Sequence, residues 1–117
     1  MSNWLEQRDD GSLAFFIDGD LQFDSRDERI YHECLALPPL ALALRQRSSL
    51  NVLIIGGGDG LTAREVLKSE EVAHVHLVDY DATVLELGKT RFAALNNDSF
   101  SDPPSVSGYS PHFVQRP

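Results

Sequence analysis

Residues Val52-Leu-Ile-Ile-Gly-Gly-Gly-Asp-Gly60 decide how this chain is read: a continuous apolar run ends in a turn with glycine at 56, 57, 58 and 60. An apolar strand of this kind suits a parallel sheet covered on both faces. Glycines at its carboxyl end leave backbone N–H groups open to a ligand where the next helix begins. The expectation is an α/β chain with a Rossmann-like nucleotide-binding sheet. Asp59 sets the ligand class, because a carboxylate among the glycines repels a pyrophosphate. The expected ligand therefore carries a positive charge or hydroxyls rather than the diphosphate of a dinucleotide. Leu61 stands where the dinucleotide fingerprint needs its third glycine, which argues against NAD or FAD.

Downstream, Val72 to Val78 has the composition of a second strand, and Asp79 follows it, 23 residues after Gly56. A carboxylate at that strand end lies beside the glycine turn, where it can accept the hydroxyls of a ribose. Asp81 is the better N-cap for the next helix, expected to run to about Leu95 with Val84, Leu85, Gly88 and Phe92 on its inner stripe. Between the strands, Thr62-Ala-Arg-Glu65 has capping-box spacing, so a helix is expected after the turn.

Upstream, Leu13 to Ile17 and Leu21 to Phe23 form a β hairpin around Asp18-Gly19. A helix starts near Asp27 with Ile30, Cys34 and Leu37 on one face, ends at Pro38-Pro39, and gives way to a second short helix from Leu40 to Gln46. Gln22, Tyr31, His32 and Glu33 form a polar cluster, whereas Cys34 suits a small core position. Residues 98–117 hold four of the six prolines and read as loop or disordered tail, so the parallel sheet stops before a third strand. The expected organisation is an N-terminal hairpin region, 1–26, a partial nucleotide-binding domain, 27–97, and the tail, 98–117.

A net charge of -8 disfavours nucleic acid and anionic lipid as partners. The single cysteine excludes an internal disulfide, and no Cys/His pattern predicts a metal. No apolar run approaches the roughly 20 residues that cross a bilayer, and the N-terminus lacks a signal-peptide pattern, so a cytoplasmic location is the default expectation.

In order along the chain, Asp18-Gly-Asp-Leu-Gln22, Arg26-Asp-Glu28, Tyr31-His-Glu33, Pro39-Leu40, Val52 to Gly60, Arg64-Glu-Val-Leu-Lys68 and Val78-Asp-Tyr-Asp81 resemble the spermidine synthases, the polyamine aminopropyltransferases. The resemblance covers roughly residues 13 to 97. It implies an S-adenosylmethionine-type sheet and no prosthetic group. The co-substrate it implies is decarboxylated S-adenosylmethionine, whose aminopropyl group passes to putrescine or a related polyamine. The neutral amine attacks the carbon beside the sulfonium, the C–S bond breaks, and methylthioadenosine and a proton leave. By matching position, Gly56, Gly58, Asp59, Gly60, Asp79 and Gln22 would hold the donor, and Tyr31, His32 and Asp59 the polyamine.

The departures from the pattern are specific. Asp79 stands where the family usually has Glu, and the glutamine of an earlier family strand has no counterpart. The adenine-recognition element and the Asp-Ser/Thr-Ser/Thr-Asp-Pro element that carries the general base are absent. Asp98-Ser-Phe-Ser-Asp102-Pro103 resembles the latter only superficially. The chain is thus expected to be a truncated form with no catalytic residue of its own, exposed at its strand edges and forming homo-oligomers. The alternatives are a non-catalytic remnant that binds an adenosyl ligand or a polyamine, and a fragment of an S-adenosylmethionine-dependent methyltransferase.

Overall fold

Strand β1, Asn3–Gln7, pairs antiparallel with β2, Leu13–Ile17, which pairs with β3, Asp20–Asp24. This sheet and its surroundings form one compact unit, Met1–His32, and Glu33–Pro117 forms a second. The computed structural model describes residues 2–101 in full and the backbone of 106–109.

In the first unit the hairpin turns where expected. Asp18 (φ 50°) and Gly19 (φ 84°) are both left-handed, the conformation whose twist matches that of the flanking strands. Phe15 pairs in register with Phe23, their ring centres are 6.0 Å apart, and both are buried with Ala14. Strand β1 was not expected, because Trp4 and Leu5 are adjacent and break the alternation that marks a half-buried strand; backbone pairing with β2 supplies the order instead. Arg8 reaches across to Asp24 through two bonds, Nη1 to Oδ1 at 3.0 Å and Nη2 to Oδ2 at 2.7 Å. These bonds, with one from the Arg26 N–H, hold the Asp24 carboxyl down at about 2.

Helix α1, Glu28–Ala43, runs straight through Pro38 and Pro39, which corrects the expected break and separate second helix. Two N–H donors are missing, so the carbonyls of Cys34 and Leu35 lose their helical partners. Both residues are exposed and water can satisfy those oxygens, which makes the loss tolerable. The expected inner face is also corrected. Ile30, Cys34 and Leu37 are exposed, and the buried face is Glu28, His32, Ala36 and Leu40, at i+4 spacing. Two of those four residues are ionisable or polar, and apolar periodicity alone selects the wrong stripe. The division between the two units falls within this helix, after His32.

In the second unit β4, Leu50–Ile55, lies parallel to β5, Val72–Val78, with Val52 beside Val75 and Ile54 beside Leu77. Helix α2, Leu61–Val66, connects them, and α3, Ala82–Lys89, follows β5. A third parallel strand, β6, Val106–Tyr109, pairs with β5 and corrects the reading of the whole tail as irregular. Pro103, Pro104 and Pro111 fall outside those four residues, so no proline interrupts the ladder. The rest of the expected tail, 102–105 and 110–117, lies outside the described residues.

The strand order is β4-β5-β6. Ile54, Val75, Leu77, Ala63, Val66, Leu85, Ala36 and Leu40 share one core, which places all three helices against one face of the sheet. On the other face Leu53 and Ile55 are 61% and 84% exposed, so among the described residues the expected cover on both faces is present on one only. Along the β4 edge an apolar groove of about 410 Å³ runs between the strand and Leu35, Pro39 and Ala43 of α1.

Candidate functional site

The glycine turn is held from three sides. Gly56 donates to the carbonyl of Val78 at 2.6 Å, which ties the end of β4 to the end of β5. Gly58 donates to Asp79 Oδ2 at 2.7 Å, and a Cβ on Gly58 would sit 2.6 Å from that same oxygen, so only glycine admits the carboxylate this closely. Asp79 Oδ1 accepts the N–H of Asp81 at 2.8 Å. The carboxylate is thus oriented by two backbone donors at the carboxyl ends of two adjacent parallel strands. Each oxygen can accept further bonds.

Asp59 Oδ1 accepts the Leu61 N–H at 2.9 Å and closes the turn into α2. The helix N-cap is Gly60, at φ 81°, with no side-chain cap. This corrects the capping-box reading of Thr62 and Glu65. Glu65 is 1% exposed and is bonded instead by Arg64 Nε at 2.7 Å and by Lys68 Nζ at 2.9 Å. Burial opposes its ionisation, but the bonds from Lys68 and Arg64 outweigh that and hold the carboxyl below its ordinary value. Asp81 caps α3 as expected, accepting from Thr83 N–H at 2.9 Å.

The third side was not anticipated. Asn96, fully buried, donates through Nδ2 to the carbonyls of Asp59 and Gly88, each at 2.8 Å. Its Oδ1 accepts the Ser99 N–H, and Ser99 Oγ donates to the Gly60 carbonyl at 3.0 Å. Ser99 lies in the Asp98–Asp102 stretch, so the stretch that looks like a displaced catalytic motif is, at Ser99, a brace for the turn. The sequence signal was faint: an amide followed by a short polar run, with no periodicity to mark it.

The first unit carries the other expected residues. Gln22, Asp24, Asp27 and Tyr31 line a cleft of about 350 Å³. Gln22 Nε2 donates to its own strand at Asp20 O, 3.1 Å, and Tyr31 is 62% exposed. His32 does not line this cleft. It is 4% exposed, and its Nδ1 lies 2.7 Å from Glu28 Oε2 and 2.9 Å from the Glu28 carbonyl. Tyr31 stacks edge-on against it at 5.0 Å. The 100° between successive helix positions puts Tyr31 at the cleft and His32 on the buried face, so the two members of the expected polar cluster face different surroundings.

Residues 28–106 match the family model of the spermine/spermidine synthase domain. The chain belongs to that family. Polyamine aminopropyltransferase 2 of Ralstonia nicotianae is 48% identical over 93 residues, 78% of this chain and 18% of the relative. Polyamine aminopropyltransferase 2 of Bacillus anthracis is 42% identical over 92 residues, 77% of this chain and 25% of the relative. Among solved structures, the spermidine synthase of Thermotoga maritima superposes with a TM-score of 0.77 at 32% identity, covering 92% of this chain and 38% of that one. A spermidine synthase in complex with the transition state analogue AdoDATO superposes with a TM-score of 0.76 at the same identity and coverage. The chain therefore spans a quarter or less of the length of these two curated relatives. The α/β, Rossmann-like architecture read from the glycine turn is that of the spermidine synthases. Among the described residues no helix is long and apolar enough to cross a membrane.

Proposed function

We propose that this chain carries the donor-binding part of a polyamine aminopropyltransferase site. Its ligand is decarboxylated S-adenosylmethionine, and the amine acceptor is putrescine or a related polyamine. The observation that carries the reading is the Asp79 carboxylate, fixed by the Gly58 and Asp81 N–H groups at the mouth of the glycine turn. A carboxylate oriented in this way suits the two hydroxyls of a ribose, and its remaining acceptor sites are the ones a ribose needs. Asp59, in the same turn, supplies negative charge for the ammonium of the aminopropyl group. Gly56, Gly58 and Gly60 leave room for the nucleoside to approach the backbone. Within the first unit, Gln22 and Tyr31 line a cleft of their own, and His32 packs behind Tyr31.

Within these 117 residues no Asp-Ser/Thr-Ser/Thr-Asp-Pro run occurs, which favours binding without turnover for the chain on its own. Calorimetry with decarboxylated S-adenosylmethionine and with methylthioadenosine tests the reading. Saturable binding of both, tighter for the amine-bearing ligand, is expected. No binding of either, or preference for a dinucleotide, overturns it.

A further inference from the structure

His74 and His76 stand two residues apart on β5, so both side chains leave the same face of the sheet. That face is the one the helices do not cover: His74 is beside Asn51 in the β4 register, and His76 beside the exposed Leu53. The ring centres are 6.4 Å apart with planes tilted by 43°. Among the described residues neither ring is engaged by a hydrogen bond or an ion pair.

We propose that His74 and His76 form a two-imidazole chelate for a divalent transition-metal ion of the zinc and copper class. Imidazole is the side chain these borderline ions favour, and it binds through a ring nitrogen lone pair. A zinc–nitrogen bond of about 2.0 Å sets two rings on a tetrahedral ion with centres about 5 Å apart. Side-chain rotation on an open face closes the difference from 6.4 Å. Two ligands from one rigid strand also bind better than two separate imidazoles, because the second meets the ion at a raised effective concentration. The net charge of -8 raises the local concentration of cations around the chain. No group of three or more His, Cys, Asp or Glu among the described residues is placed to hold a metal, so water completes the shell and the site is open to exchange. This chelate is independent of the aminopropyl-transfer reading and uses none of its residues.

Zinc titration of the purified chain, followed through the histidine ring resonances, tests the proposal. The rings of His74 and His76 should shift together in one saturable transition. Those of His32, and of His112 outside the described residues, should stay unmoved. His74→Gln and His76→Gln should each weaken binding by roughly tenfold or more. Shifts confined to one of the two rings, affinity unchanged in either variant, or no saturation at millimolar zinc overturns it. The ring shifts of the unsubstituted chain decide the matter even if a variant fails to fold.

Discussion

Gly88 of α3 lies against the carbonyl oxygen of Gly58, in a space that a Cβ on Gly88 would have to share with that oxygen and the Phe100 ring. Helix and glycine turn are thus fitted to each other through two glycines 30 residues apart in sequence.

Gly88→Ala should therefore destabilise the chain even though the substitution improves helix propensity. Alanine in a helix interior is favoured over glycine by about 1 kcal/mol, but the new methyl meets backbone rather than the flexible end of a side chain. Overpacking of this kind costs roughly 1 to 3 kcal/mol. Urea unfolding should show a lower midpoint at unchanged slope, together with weaker binding of methylthioadenosine. A midpoint at or above that of the parent would mean that the turn and α3 are not held together there.

Asn96→Ala removes both Nδ2 bonds, to the carbonyls of Asp59 and Gly88. Each intramolecular hydrogen bond lost costs about 0.5 to 1.5 kcal/mol. The predicted loss exceeds that for Ser99→Ala, which removes one bond to the Gly60 carbonyl, an oxygen that still accepts the Arg64 N–H. Amide exchange at residues 56–60 should rise in both variants and more in the first. Equal effects in the two would show that the double bond from Asn96 is not what fixes the turn.

The two carboxylates of the second unit should separate by ligand. Removing a charge-assisted hydrogen bond costs roughly 1.5 to 3 kcal/mol. Asp79→Ala is expected to weaken methylthioadenosine and decarboxylated S-adenosylmethionine alike, since both carry the ribose. Asp59→Ala should weaken mainly the amine-bearing ligand. Calorimetry on both variants checks this, and equal losses for the two ligands in Asp59→Ala would reject the assigned role of that residue.

What the sequence made legible follows from how local the determinants are. Asp18-Gly19, the Asp81 cap and the stripe Val84, Leu85 and Gly88 are each specified within one or two turns of chain and stand as read, whereas α3 ends at Lys89 rather than near Leu95, so Phe92 is buried from the turns that follow the helix. The unbroken α1 was not legible, because proline rules price a lost bond without knowing that the stranded carbonyls face water. Strands β1 and β6 depend on pairing with β2 and β5, a non-local condition that four or five residues cannot announce. Within the site, Gly58, Asp59 and Asp79 were marked by composition and spacing. The resemblance pairs His32 with Tyr31 at the polyamine, and only the helix rotation shows that His32 is buried against Glu28. Asn96 escaped because its partners are carbonyls 8 and 37 residues away.

Glu65 makes the stability of the second unit depend on acid. Its carboxyl ionises more readily in the fold than in the unfolded chain, so its contribution is complete above the unfolded value of about 4.3 and is lost as pH falls through the folded one. Glu65→Gln removes the charge opposite Arg64, whose side chain is 1% exposed, at a cost on the order of 3 kcal/mol. Denaturation between pH 7 and pH 3 should show the parent losing stability steeply below about pH 4.5 and the variant changing less over the same range. Parallel pH profiles for the two would exclude Glu65 as the source.

Self-association is the last expectation, and the sheet provides its cause. Strand β4 is at the edge of the order β4-β5-β6, and between Leu50 and Ile55 it carries neither charge nor proline, the features that usually discourage pairing along an edge. Leu53 and Ile55 add exposed apolar surface beside a groove that contains no charged side chain. A chain of net charge -8 repels its copies elsewhere, which leaves this edge as the favoured contact. Size exclusion with light scattering should show a concentration-dependent mass, and Leu53→Lys should shift it toward the monomer by placing like charges across the contact. The lysine lies on the exposed face, so the core of Ile54, Val75 and Leu77 should survive the change, visible as unaltered amide protection in β5. A monodisperse monomer at all concentrations, with β4 amides protected throughout, would show that the edge is already satisfied within one chain.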